Sequence, residues 1–309
     1  MGKFLLLGTA CVLSLCPSGV AAQPMADNDT QAQVSPVSSD AEVLRTCVAQ
    51  KLRSSLAEND VPSASIAYIE DGKLAWQFAA GESEPGKLAT PDTLYNIASM
   101  TKSIVAETVI RLSSSGAFSM DDSMADAWVD PDLKDDPRHK LLTPRLALTH
   151  RTGLPNWRYL TDDILKFQND PGTQFGYSGE GLQYVAHFIE NKMGRPLEDL
   201  VAEVVFKPAG MTETTFTDRA WLDGRIAMSQ TKAGEHKFAP RRTEWNAADD
   251  VWSSTGDYAR FMIWVMANPV SAERAATYWI PRDNLKYQIC QEDRVPLPIC
   301  PRSLGFTAG

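Results

Sequence analysis

Two β-prone runs separated by Asp71-Gly72 constrain the fold of this chain most strongly. The first run is SASIAYIE and the second is KLAWQFAAG. An Asp-Gly pair between two such runs is the strongest short-range signal for a β-hairpin, because both residues accept the positive φ that a tight turn needs. We therefore expect an antiparallel sheet that contains these two strands.

Helical patterns flank the hairpin. Ser39 and Glu42 form a capping box before an amphipathic stretch, and apolar residues recur with helical spacing from Ser99 to about Leu112. Residues 117–245 alternate helical patterns with Pro and Gly and contain few strand-like runs; the clearest later helices are GLQYVAHFIENKM and DYARFMIWVM. The predicted fold class is α+β, an antiparallel sheet flanked by helices with a large, mostly helical inserted domain.

The N-terminal segment MGKFLLLGTACVLSLCPSGVAAQP has the order of a secretory signal. One cation, Lys3, precedes an apolar run, and small residues precede the expected cleavage point after Ala22. We therefore predict a signal peptide at 1–22, a flexible stretch at 23–38 and a periplasmic or secreted protein. Beyond Ala22 no apolar run is long enough to span a membrane, so no stable membrane insertion is expected.

Charge and spacing exclude some partners and cofactors. The formal net charge is -9 and no basic cluster stands out, which argues against nucleic acid as a partner. The four histidines, at positions 139, 150, 187 and 236, have no metal-ligand spacing. We expect neither a metal nor another cofactor. The oligomeric state is not readable from the sequence.

Three cysteines remain after the predicted cleavage. Cys290 and Cys300 flank a Pro-containing segment, and in an oxidising compartment they are predicted to form a disulfide worth about 3 kcal/mol. Cys47 is left over. Because it lies at an apolar position of the first helical pattern, it is predicted to be a small buried side chain without a catalytic role.

Ser99 and Lys102, in SMTK, are candidates for an activated nucleophile and its partner. Residues i and i+3 share a helix face, so the Lys102 ammonium is expected near the Ser99 hydroxyl. A serine hydroxyl needs such activation, and the helix start supplies free backbone N–H groups for a developing oxyanion. Helix capping by Ser99 with a solvated Lys102 is the structural alternative.

The same spacing occurs in SQTK at Ser229 and Lys232, where no apolar periodicity follows. Spacing alone is therefore weak evidence, and the helical context of Ser99 distinguishes the two copies.

The segment DTLYNIASMTKSIVAETVIRL resembles the nucleophile segment of the serine β-lactamase-related family. This family includes class C β-lactamases, D,D-peptidases and family VIII carboxylesterases. A similar segment, VPSASIAYIEDGKL, precedes it, and others follow in the family's order: LALTHRTGLPNW, FGYSGEGL, FKPAGMTETTF and SSTGDYARFM. The resemblance extends from about residue 41 to the end.

The resemblance implies a third catalytic residue, because the family places a Y-x-N tyrosine against the nucleophile. Tyr177 is the matching residue and is expected to act as base for Ser99 and acid for the leaving group. Ser178 and Gly179 of the same element are expected to contact substrate. Trp157 is predicted either to line the substrate-binding cleft or to pack in the core. His150 is expected to belong to a structural turn.

The sequence departs from the family pattern in two places. Gly179 stands where β-lactamases usually carry asparagine, which removes a substrate-binding amide and favours esters or amides over β-lactams. A Lys-Thr-Gly type third box is not visible before the final SLGFTAG. We therefore expect the C-terminal strands to be missing, and the 309-residue chain alone to be poorly folded or weakly active.

The sequence thus predicts an exported serine hydrolase that forms an acyl-enzyme on an ester, amide or β-lactam carbonyl of a small-molecule or peptidoglycan-derived substrate. The predicted domains are an α/β domain at 39–98 and 250–309 and a helical domain at 99–249. A non-catalytic homologue that binds peptidoglycan-like or acyl ligands is the alternative, and a slowly deacylating D,D-peptidase is a third possibility.

Overall fold

The structure, a computed structural model, describes residues 4–7, 39–231 and 234–270. Its helices are α1 (Ser39–Glu58), α2 (Thr101–Ser114), α3 (Pro144–Leu148), α4 (Gly179–Met193), α5 (Leu197–Val201), α6 (Lys207–Ala209) and α7 (Thr255–Ala267). Its strands are β1 (Phe4–Leu7), β2 (Ser63–Glu70), β3 (Lys73–Glu84), β4 (Lys87–Leu88), β5 (Tyr95–Asn96), β6 (Ser229–Gln230), β7 (His236–Lys237) and β8 (Trp252–Ser253). This composition confirms the predicted α+β class.

The strands form three antiparallel sheets. The largest has the order β1-β2-β3-β4, while β5 pairs with β8 and β6 pairs with β7. The β2–β3 hairpin is confirmed: Glu70 pairs with Lys73, and the turn residues Asp71 and Gly72 have φ values of 50° and 74°. Two successive positive φ values match the right-handed twist of the flanking strands.

Strand β2 is buried on both of its faces. Successive side chains of a strand point to opposite sides, so alternate residues enter two different cores. Ile66 and Tyr68 pack with Val48 of α1, whereas Ala67 and Ile69 pack with Ala259 of α7. The sheet is therefore covered by a helix on each side.

Helices α2 and α4 bury the faces that the sequence predicts. In α2, Ile104, Val105 and Val109 are fully buried, and in α4, Leu182 and Val185 are buried. Helix α7 begins after Ser254, whose hydroxyl accepts a hydrogen bond from the Asp257 amide at 3.1 Å, as an N-cap residue does.

The described residues divide into two compact units. The first contains the residues up to Leu112 together with Ile189–Pro269, and the second is Ser113–Phe188. The β1–β4 sheet and the Ser99 segment belong to the first unit, and Tyr177 belongs to the second. The domain limits given above stay a prediction, because the α/β domain was expected to include 271–309, which lie outside the described residues.

The prediction for Cys47 is wrong in two respects. Cys47 is disulfide-bonded, and it is only partly buried. Apolar periodicity places a cysteine on a helix face but carries no information on whether its sulfur is oxidised. The predicted Cys290–Cys300 disulfide lies outside the described residues.

Three further predictions concern segments that the structure describes only in part or not at all. Of the predicted signal peptide and the stretch at 23–38, only the backbone of β1 is described, and cleavage after Ala22 stays a prediction. The final SLGFTAG also lies outside the described residues.

None of the helices in the described part of the chain combines the length and the apolar character that a membrane span requires.

Tyr184 gives a prediction for stability at alkaline pH. Burial raises its pKa to about 12. The unfolded chain would ionise this tyrosine from about pH 10, so the stability it contributes is complete below about pH 10 and is lost as the pH rises toward about 12.

Tyr184→Phe should therefore weaken the fall in the free energy of unfolding between about pH 10 and 12, by up to about 1.4 kcal/mol per pH unit. Urea denaturation at several pH values measures it. Tyr159→Phe, at an exposed position, is the control and should leave the slope unchanged. Equal slopes for the two variants would contradict the prediction.

Candidate active site

Ser99 and Lys102 come together at the start of α2. Ser99 lies in a 3-10 turn, Ala98–Met100, that leads directly into the helix, and its side chain is exposed. The Lys102 Nζ donates a hydrogen bond to the Ser99 Oγ at 3.0 Å and another to the carbonyl oxygen of Ala248 at 2.8 Å. The helical i, i+3 spacing therefore produces the contact expected from the sequence.

Asn96 shapes the backbone directly before Ser99. Its Oδ1 accepts a hydrogen bond from the Ala98 amide at 2.8 Å, and Ala98 has a φ of 46°, in the left-handed region. A non-glycine residue in this region is uncommon and is held there by its surroundings. The turn thus presents the Ser99 hydroxyl to solvent from a fixed backbone.

The loop at 246–251 is fastened to the same turn. The Ile97 amide donates to the Val251 oxygen at 2.8 Å, and the Val251 amide donates to the Thr101 Oγ1 at 3.1 Å. Within the loop, the Asn246 Oδ1 accepts the Ala248 amide at 2.8 Å. These bonds position the Ala248 carbonyl that receives the Lys102 ammonium.

This geometry has a clear chemical consequence. An ammonium in contact with a hydroxyl stabilises the alkoxide and so favours loss of the hydroxyl proton. The N-terminal end of α2 lies beside Ser99, and its backbone N–H groups and dipole favour negative charge on a nearby oxygen. The site therefore combines an exposed hydroxyl, a cation and backbone donors that suit an oxyanion.

Tyr177 belongs to the second unit and is substantially exposed, at 41% of its surface. Its ring lies against the His150 ring with centroids 4.5 Å apart. The His150 Nδ1 accepts the Ser178 amide at 3.2 Å, and its carbonyl oxygen accepts the Gly176 amide at 2.8 Å. His150 thus holds the loop that carries Tyr177, in agreement with a structural turn.

Ser178 is fully buried. Its hydroxyl donates to the Pro155 oxygen at 2.7 Å and accepts the Gly181 amide at 2.8 Å, so it links the start of α4 to the preceding turn. A substrate contact of Ser178 stays a prediction, and its burial argues against it.

Gly179 has no room for a side chain. A Cβ at this position would lie 2.8 Å from the Asn156 oxygen and 2.9 Å from two ring carbons of Trp157. The Trp157 indole therefore covers the first residue of α4. This contact supplies a physical reason for glycine where the family usually has asparagine.

The residue after Trp157 anchors this turn to two buried carboxylates. Arg158 donates from its NH2 group to Glu180 at 2.8 Å and to Asp130 at 3.0 Å, and its backbone amide donates to Glu180 at 2.9 Å. Both carboxylates are nearly inaccessible to solvent. A buried carboxylate requires such a partner, so Arg158 fixes the turn that carries Trp157.

The sequence missed several residues that shape these sites. Ala248 contributes only a backbone oxygen, which leaves no signal in a sequence, and Asn246 and Asn96 act through local turns. Asn two residues before the bonded amide is typical of an Asx turn and is the one signal that was available. Ser229 lies in β6, where its hydroxyl donates to the Lys237 oxygen at 2.9 Å; Lys232 lies outside the described residues.

The first unit also contains a cavity of about 810 Å³. Neither Ser99 nor Lys102 lines it; its wall includes Asn59, Ser63, Tyr95, Asn96, Ser229 and Trp252. In the described part of the chain, no group of three His, Cys, Asp or Glu side chains is arranged to hold a metal ion.

Comparison with known proteins identifies the family. The β-lactamase family model matches residues 48–293, which is most of the chain. This chain therefore belongs to the β-lactamase family, and the resemblance seen in the sequence is confirmed.

One curated relative is the D-alanyl-D-alanine-carboxypeptidase/endopeptidase AmpH of Escherichia coli (strain K12). It is 26% identical over 219 residues, which cover 63% of this chain and 55% of that protein. The chain thus spans about half the length of this relative.

Solved structures share the fold. The D-alanine carboxypeptidase AmpC from Burkholderia cenocepacia superimposes with a TM-score of 0.64 at 24% identity, covering 76% of this chain and 67% of that chain. A class C β-lactamase gives a TM-score of 0.63 at 20% identity, with coverages of 72% and 64%. These likenesses support the predicted β-lactamase-like and penicillin-binding-protein-like fold.

Gly179→Ala should destabilise the protein by about 1–3 kcal/mol, because the new Cβ overlaps a backbone oxygen and the Trp157 ring. Gly176→Ala is the matched control, since no atom lies within 4 Å of a Cβ built there. Urea denaturation of both variants measures the difference. Identical unfolding midpoints would show that the contact with Trp157 is not tight.

Arg158→Met should cost about 3 kcal/mol, because it leaves the buried carboxylates of Asp130 and Glu180 without their cation. Arg138→Met removes a more exposed pairing with Asp136 and Asp170 and should cost clearly less. Chemical denaturation compares the two. A smaller loss for Arg158→Met than for Arg138→Met would contradict the anchoring role of Arg158.

Proposed function

We propose that this protein is an exported serine hydrolase that acts through a covalent acyl-enzyme. Ser99 is the nucleophile, Lys102 is its charge partner, and Tyr177 moves the proton. The carbonyl of an ester, amide or β-lactam is the group attacked. A periplasmic or secreted location follows from the proposed signal peptide.

The observation that carries this proposal is the 3.0 Å contact between the Lys102 Nζ and the Ser99 Oγ. Lys102 is only 8% exposed, so its charge acts on the hydroxyl with little screening by water. Ser229, the residue with the same spacing to a lysine, lies in a short strand and is bonded to a backbone oxygen.

In the proposed reaction the Ser99 Oγ attacks the carbonyl carbon, and its proton passes to the Tyr177 oxygen, while Lys102 stays the charge partner. The tetrahedral oxyanion is stabilised by backbone N–H groups near the start of α2. The proton is then given to the leaving alcohol or amine as its bond to carbon breaks. Water attacks the acyl-enzyme in the same way, which releases a carboxylic acid and restores Ser99.

The role of Tyr177 is supported by its match to the family tyrosine and by its exposed loop position. The His150 ring and the His150–Ser178 hydrogen bond restrain that loop. A restrained, accessible hydroxyl is what proton transfer to a bound substrate requires.

The substrate class rests on the relatives. AmpH is named as a D-alanyl-D-alanine carboxypeptidase and endopeptidase. We therefore include peptidoglycan-derived acyl donors in the proposal, beside small esters. The absence of an amide side chain at Gly179 favours esters, because a site that has no partner for a substrate amide binds that amide less well.

Ser99→Ala should abolish both acylation and turnover, whereas Ser229→Ala should leave them unchanged. The signal-free chain is incubated separately with a penicillin and with p-nitrophenyl acetate, and its intact mass and turnover are measured. An adduct that is lost only in Ser99→Ala supports the proposal. Loss in Ser229→Ala instead would overturn the assignment, and a cooperatively folded chain without any adduct would favour the non-catalytic binding homologue.

A further inference from the structure

Tyr258 is a buried residue in the first turn of α7, and its hydroxyl reaches α2 close to Ser99. Its Oη lies 2.8 Å from the Ser103 Oγ, which in turn lies 2.6 Å from the carbonyl oxygen of Met100. Only 7% of Tyr258 is exposed. All four residues belong to the first unit. Two short hydrogen bonds thus connect α7 to the residue that directly follows Ser99.

The direction of these two hydrogen bonds follows from their chemistry. A carbonyl oxygen can only accept, so the single hydroxyl proton of Ser103 is given to Met100. The Tyr258 hydroxyl must therefore donate to the Ser103 oxygen. A hydroxyl that accepts a hydrogen bond becomes a stronger donor, so Tyr258 strengthens the bond from Ser103 to Met100.

The backbone is fastened on both sides of Ser99. Before it, the Asn96 side chain accepts the Ala98 amide at 2.8 Å. After it, the Met100 carbonyl oxygen is held by Ser103 at 2.6 Å. Ser99 therefore lies between two fixed backbone groups, and loosening either of them should let its Oγ shift.

The start of α7 is itself fixed, so Tyr258 projects from a rigid support. The preceding residue, Asp257, is fully buried. Its Oδ2 accepts the Glu213 amide at 2.6 Å and the Thr214 hydroxyl at 2.9 Å. The Ser254 cap holds the same turn through the Asp257 amide. A side chain can position a reactive group only when its own backbone is held in this way.

We propose that Tyr258 is a positioning residue for Ser99 and acts through Ser103. This inference rests on the proposed function for the reaction and adds to it a residue more than 150 positions away in the sequence. A displacement of about 1 Å can cost an enzyme about 100-fold in rate. Partial loosening of the Ser99 turn should therefore slow turnover without abolishing it.

Tyr258→Phe tests this role, because it keeps the ring and removes only the hydroxyl. The kcat for p-nitrophenyl acetate should fall about tenfold while KM stays nearly unchanged. Formation and hydrolysis of the acyl-enzyme both depend on where the Ser99 Oγ lies, whereas binding of this small ester does not. An unchanged kcat would overturn the inference.

Tyr95→Phe is the matched control for a lost tyrosine hydroxyl. Tyr95 also donates to a serine, Ser63, at 3.2 Å, and burial raises the pKa of both tyrosines. The two variants should lower the midpoint of urea denaturation by similar amounts, but only Tyr258→Phe should lower kcat. Equal losses of kcat would reduce the role of Tyr258 to general stability and reject the inference.

The route through Ser103 is tested by a double-mutant cycle. Ser103→Ala should also lower kcat, and Ser103→Ala combined with Tyr258→Phe should be no slower than Ser103→Ala alone. Losses that multiply in the double variant would show that Tyr258 does not act through Ser103.

Hydrogen exchange of a peptide covering residues 97–103 measures the positioning without turnover. Tyr258→Phe should raise the amide exchange rate there severalfold, whereas Tyr95→Phe should not. If the parent does not turn over p-nitrophenyl acetate but shows this difference, the hydrolase is rejected and the anchoring of the Ser99 turn is kept. Turnover in the parent, with neither kcat nor exchange altered in Tyr258→Phe, would reject the positioning role alone.

Discussion

The arrangement of Ser99, Lys102 and Ala248 depends on the ammonium group of Lys102. A nearly buried cation is costly unless oxygen atoms replace the water it has lost. The Ser99 hydroxyl and the Ala248 carbonyl do this, and they belong to segments almost 150 residues apart in the sequence. The turn that contains Ser99 and the 246–251 loop must therefore fold together. The Asx turns of Asn96 and Asn246 determine where these two oxygen-bearing segments point, so the reactivity proposed for Ser99 depends on backbone geometry as much as on the two side chains.

Local patterns predicted the parts of the fold that depend on local physics. The Asp71-Gly72 turn fixes the register of the β2–β3 hairpin, and apolar periodicity identified α2, α4 and α7 because their buried faces repeat with the helical period. The Ser99–Lys102 contact was predictable for the same reason, since Ser99 lies in the 3-10 turn that leads into α2 and Lys102 in the first turn of α2. Ser229 has the same spacing but lies in a strand, which shows that the motif acquires its meaning from the helix.

Non-local contacts were beyond the sequence. The Ala248 oxygen is a backbone atom and looks the same at every residue, so no pattern could assign it to Lys102. The oxidation of Cys47 depends on a second sulfur, which no local pattern identifies. Gly179 was recognised as a departure from the family, but its cause is the Asn156 backbone oxygen together with the Trp157 ring, which come from 23 and 22 residues earlier. The sequence therefore showed a missing amide, whereas the structure shows that no side chain fits at this position.

Glycine in place of asparagine at position 179 changes how the protein is expected to select its substrates. A site that recognises an amide relies on directional hydrogen bonds, and it discriminates strongly because an unmatched polar group is left unpaired. An aromatic ring offers no such hydrogen bond to an amide, and it binds through the apolar area that it covers. Under the proposed function, the missing asparagine amide at Gly179 therefore favours esters, which need no such partner. Because Arg158 fastens the turn that carries Trp157 to buried Asp130 and Glu180, and Glu180 directly follows Gly179, the same ion pairs position both sides of the Trp157–Gly179 contact.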